Sequence, residues 1–88
     1  MLGLAPLPRT LRAALRDVTH DKLEVRRSAL ADLVRHAREG ETEAADALAR
    51  VLEGDAAPEL RAEAALGLAD ADVRSAVDAL VRAAENDP

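Results

Sequence analysis

Apolar positions recur every three or four residues along almost the whole chain, and the gaps between runs carry glycine, proline, threonine or aspartate. That spacing is the helical period. Leu7, Leu11, Ala14, Leu15 and Val18 predict an amphipathic helix over 7–19 with Pro8 in its first turn, broken by Thr19, His20 and Asp21. Val25, Ala29, Leu30, Leu33, Val34 and Ala37 predict a second from about Lys22 to Arg38, with Gly40 as a left-handed stop. Ala44, Ala45, Leu48, Val51 and Leu52 give a third, from about Thr42 as N-cap to Glu53, with Gly54 as terminator. Pro58 opens a fourth that turns Leu60, Ala64, Ala65 and Leu68 inward and fades near Asp70. Asp70 or Asp72 then caps a fifth, whose stripe of Val73, Ala76, Val77, Leu80, Val81 and Ala84 is the cleanest of all and runs to about Asn86. No run alternates as a strand does. Five helices joined by short connections fit antiparallel neighbours in an all-α fold.

The chain also resembles itself. Val25-Arg26 aligns with Leu60-Arg61 at an offset of 35, which superposes Ala29 on Ala64 and Leu33 on Leu68. Ala45-Asp46-Ala47-Leu48 falls on Val77-Asp78-Ala79-Leu80, carrying Glu53 and Asp55 onto Glu85 and Asp87. A two-helix unit repeated every 32 to 35 residues is the mark of a stacked helical array, in which each unit buries its apolar face on the next.

Within 48–68, Leu52-Glu53-Gly54-Asp55, Pro58-Glu59-Leu60-Arg61 and Ala64-Ala65-Leu66-Gly67 follow one another in an order that resembles the HEAT repeat, particularly its short bacterial form found in phycobilin lyase subunits. The resemblance covers 7–88 as two units preceded by one helix of a third. It departs in the first unit, where His20 stands in place of Asp55 and the turn proline is missing. It implies a right-handed α-solenoid of antiparallel helix pairs, about two and a half repeats in a single domain over 1–88. It further implies an interaction scaffold, with the second helix of each unit lining a concave docking side. In the family an aspartate at the turn bonds an arginine, so Arg26, Arg61 and Asp55 are expected to form a ladder between units. Both arginines fall within the apolar stripes of their helices, where a guanidinium needs a carboxylate.

Length and composition narrow the reading. Eighty-eight residues allow one small domain, and with no Phe, Trp, Tyr, Ile or Cys the apolar share is alanine, leucine and valine. Such a core is thin, and without cysteine there is no disulfide, thiolate metal site or thiol nucleophile, so the cytoplasm is the expected compartment. The first eight residues are apolar but carry no basic stretch and are interrupted by Pro6 and Pro8, unlike a signal peptide, and are shorter than a membrane span. Residues 1–6, with Leu2 and Leu4, together with Leu7, are expected to lie over the end of the fold as a cap, or to form a tail.

Net charge is −5, yet residues 1–40 carry +3 and residues 41–88 carry −8. An acid-rich chain without aromatic platforms disfavours nucleic acid as a partner. Arg27, Arg35 and Arg38, with the small Ala31 among them, form a basic ridge opposite the apolar stripe of the second helix. Arg9, Arg12 and Arg16 form another on the first. The second-helix ridge is the expected docking surface for an acidic protein surface, because guanidinium groups clamp carboxylates in pairs. His20 and His36 lack a supporting constellation for catalysis or metal binding, even with Glu39, Glu41 and Glu43 near His36, and Asp70 and Asp72 are explained by capping. No phosphate-binding loop or nucleophile motif occurs, and no cofactor is implied. The expectation is a non-enzymatic adaptor or regulator. Its alternatives are a lyase-like or chaperone-type subunit of an enzyme complex, and a helical repeat that binds nucleic acid weakly. So short an array also leaves its end helices open to self-association.

Overall fold

In the computed structural model, residues 7–86 are described, and among them every regular element is helical. Helix α1 spans Leu11–Asp17, α2 Leu23–Arg38, α3 Thr42–Gly54 and α4 Pro58–Asn86. Helix α2 is the hub: it packs against α1, α3 and α4, α3 packs closely on α4, and α1 barely meets α3. Leu30, Leu33, Leu48 and Leu60 are fully buried in one core, to which Ala14, Ala29, Ala44 and Ala64 also belong.

Local chemistry explains most of the boundaries. Helix α1 starts at Leu11 and not at 7, because the Thr10 hydroxyl accepts from the Ala13 N–H and caps it, leaving Pro8 outside. Helix α2 ends in a Schellman motif: Gly40 sits at φ 94°, its N–H donates to the Ala37 carbonyl, and the Glu41 N–H donates to that of His36. Helix α3 begins at Thr42, but its N-cap is Glu41 with no side-chain bond, and Gly54 lies inside the helix without a positive φ. The chain leaves α3 in extended form at Asp55. The Asp55 carboxylate then accepts from the Ala57 N–H at 2.8 Å and turns the chain into α4.

The expected fourth and fifth helices are one helix. Between Pro58 and Asn86 the only glycine is Gly67 and there is no second proline, so nothing forces the chain out of an alanine-rich helix at Asp70. The Asp70 carboxylate caps nothing; it pairs with Arg38 of α2 at 2.8 Å. Gly67 serves packing instead, since a Cβ there would stand 2.7 Å from Val34 Cγ2. Without that glycine, α4 would not approach α2 so closely.

The stripe of the expected fifth helix is correspondingly unburied. Val73, Val77, Leu80 and Val81 are exposed, and none of the buried hydrophobic residues lies beyond Ala64. Leu7 is 90% exposed and does not cover the end of the fold, while Leu2, Leu4 and the rest of 1–6 lie outside the described residues.

Candidate functional site

Arg26, Asp55 and Arg61 meet where α2, the α3–α4 turn and the first turns of α4 come together. Arg26 donates from Nε to the Asp55 carboxylate at 3.1 Å, and from a terminal nitrogen to the His20 and Asp21 carbonyls at 3.0 and 2.9 Å. Arg61 reaches Asp55 differently, donating to its backbone carbonyl at 2.6 Å and not to its carboxylate. The side chains of Arg26 and Asp55 are 17% and 6% exposed, and Arg61 is partly buried.

These bonds repeat at the sequence offset of 35. Arg26 bonds the carbonyl of His20, six residues earlier, and Arg61 bonds the carbonyl of Asp55, six residues earlier. The His20 Nδ1 accepts from the Lys22 N–H just as the Asp55 carboxylate accepts from the Ala57 N–H. The imidazole at position 20 thus performs the turn-closing role of the aspartate at 55, which accounts for the departure seen in the sequence.

Arg27, Ala31, Arg35 and Arg38 occupy the outer side of α2, and the three guanidinium groups are partly solvent-exposed. They are not unpartnered. Arg27 lies 3.9 Å from Glu59, Arg35 lies 3.3 Å from Asp32 and 3.7 Å from Glu39, and Arg38 holds Asp70. Arg35 and Arg38 also line a shallow depression with Glu39 and Arg74. Arg74 escaped the sequence reading, because only a continuous α4 carries it back beside the end of α2. The ridge runs along α2, which packs on α4.

Of the first-helix ridge, Arg12 and Arg16 stay exposed while Arg9 is tied down. Arg9, ahead of α1, donates to Asp17 at 2.9 Å, to Asp32 at 3.1 Å and to the Ser28 hydroxyl at 2.7 Å. Its carbonyl accepts from Arg35 and faces His36 Nε2, both at 2.9 Å. Arg16 pairs with its neighbour Asp17. Hydrogen bonds from Arg16 and then Arg9 bring the Asp17 carboxyl down to about 2. Burial pushes the Asp32 carboxyl up, but bonds from Arg9 and Arg35 outweigh it and hold it below the usual range. Arg9 is a strap across α1 and α2, a role invisible in sequence because its partners lie 8 to 23 residues away.

A cleft of about 520 Å³ opens between the end of α1, the start of α2 and the end of α3, with His20 and Arg50 in its lining. Its Arg26 and Asp55 bond each other. Among the described residues no three His, Asp or Glu side chains gather as a metal site, and no helix is long and apolar enough to cross a membrane. Comparison with protein-family models, curated proteins and solved structures finds no match for the chain.

Proposed function

We propose that the chain is a cytoplasmic, non-enzymatic helical-repeat adaptor or regulator of HEAT-like solenoid type, which docks an acidic surface of a protein partner on the outer side of α2. The packing of α2 on α4, and hydrogen bonds that recur at an offset of 35, support the solenoid reading. The docking reading is carried by one observation: Arg35, Arg38 and Arg74 line a common shallow depression with Glu39. An incoming carboxylate there replaces weak, solvent-exposed ion pairs, which are worth little on their own. Complementary charge of this kind acts mainly on association rate and is screened by salt.

The test is affinity capture from the native cell extract, followed by association kinetics with the captured protein. Arg27, Arg35 and Arg38 are changed together to glutamine, which removes charge without setting a new carboxylate against Glu59, Asp32 or Asp70. The triple variant should keep its helical spectrum and associate at least about tenfold more slowly at low salt, with the difference shrinking as salt rises. The control changes the exposed Arg12 and Arg50 to glutamine and should bind normally. Normal binding by the triple variant with loss in the control would place the surface elsewhere.

A further inference from the structure

The face of α4 turned away from the other helices is apolar along its length. Leu66, Val73 and Leu80 follow at intervals of seven and are 72%, 62% and 70% exposed. Ala62, Ala69, Ala76 and Ala83 interleave with them at the same interval, all exposed. Together they make the alternating spacing of four and three that defines a helix-pairing seam. The residues that dock α4 on the body, Leu60, Ala64, Gly67 and Ala71, point the opposite way on the helical wheel. Monomeric proteins seldom leave a continuous apolar strip of this length in water.

We propose that this face pairs with the same face of a second copy, as an antiparallel two-fold helix pair centred between Arg74 and Ser75. The alternation of size selects the partner and the direction. With the helices antiparallel, Leu66 lies opposite Ala83, Leu80 opposite Ala69 and Val73 opposite Ala76, so every layer holds one large and one small side chain. A parallel pair sets Leu66 on Leu66 and Ala69 on Ala69, alternating crowding with voids that close packing does not tolerate.

Charge selects the register. In the centred arrangement every charged residue from 63 to 86 stands level with an uncharged one: Asp70 with Ala79, Asp72 with Val77, Arg82 with Gly67. Sliding one heptad one way keeps the size match but gathers Asp70 and Asp72 of both copies around the axis. Sliding the other way sets Arg74 against Arg82 and drops layers. Direction is reinforced by net charge, which is −3 over 58–72 and zero over 73–86, so a parallel pair would align the two acidic halves. The overlap of residues 63–86 is about 36 Å of helix. The interface is isologous and closes on two copies, with the two bodies on its outer sides. It is separate from the α2 ridge and does not rest on the adaptor reading.

Sedimentation equilibrium of the full chain should give twice the 9.3 kDa chain mass at high micromolar concentration and dissociate on dilution. Leu66→Glu with Leu80→Glu, both at exposed positions, should give a monomer with unchanged helicity at the same concentration. Ala76→Leu, which keeps the face apolar but fills a small layer, should weaken dimerisation at least about tenfold. Because the chain has no cysteine, Ser75→Cys and Glu85→Cys can each carry a single spin label. Across the dimer the labels at 75 should lie much closer together than those at 85, which stand about 30 Å apart along the axis from the helical rise. A monomer at several hundred micromolar, a dimer that survives the double glutamate variant, or close labels at both positions would each overturn the proposal.

Discussion

At the scale of single residues, arginine sets the connections. Arg26 holds two carbonyls ahead of α2 and the carboxylate that opens α4, so one side chain ties together three stretches of backbone. Removing it strands a carboxylate that is almost fully covered. Arg26→Ala is therefore expected to lower unfolding free energy by about 1–3 kcal/mol in urea titration, whereas Arg82→Ala, exposed on α4, should leave it nearly unchanged. Arg61→Ala should cost less than Arg26→Ala, since it loses a bond to a carbonyl and leaves the Asp55 carboxylate paired. Asp17 gives a pH signature. Its carboxyl titrates near 2 in the folded chain and near 4 in an unfolded one. The stabilisation is therefore complete above about pH 4 and is lost as pH falls towards about 2. Thermal unfolding across that window should show a steeper fall for the wild type than for Asp17→Asn, and parallel curves would mean that the Arg9 and Arg16 bonds do not persist in solution.

At the scale of elements, α2 and α3 were legible almost to the residue, because their stripes are continuous and Gly40 marks a stop with one stereochemical meaning. The start of α1 was not, since Pro8 and Thr10 both carry helix-start signals and the hydroxyl of Thr10 took the cap. The division of α4 failed for a related reason. Aspartate favours a cap only where the chain is already leaving the helix, and alanines on either side of Asp70 and Asp72 keep it in. Of the candidate residues, Arg26 and Asp55 could be placed together through the repeat, while the Arg9 strap and the Arg74 contribution depend on tertiary placement that no local pattern carries. Gly67 is the element-scale test. Alanine there gains up to about 1 kcal/mol of helix propensity, but forces its Cβ onto the stiff Val34 side chain, an overpacking that costs about 1–3 kcal/mol. Gly67→Ala should thus lower the melting temperature, and Gly67→Ala combined with Val34→Ala should recover part of the loss.

At the scale of the whole molecule, the chain is long and thin. Its radius of gyration is 15.1 Å, against about 12 Å for a compact domain of this size, and its shortest dimension is 19 Å. The excess length is the outer half of α4, which contributes nothing to the buried core. A chain ending at Asp72 should therefore melt within a few degrees of the full chain at low micromolar concentration, where the longer form is dissociated; a much lower melting point would show that the outer half packs on the body. The position of α2 against all three other helices has a further consequence, for the order in which the structure opens. Any fluctuation that frees α1, or peels α4 from α3, leaves α2 with at least one neighbour, so its amides open only when the whole assembly does. In deuterium exchange the backbone between Ala29 and Ala37 should be the last to label, at the rate of global unfolding, with the outer half of α4 labelling first and the seven residues of α1 ahead of α2.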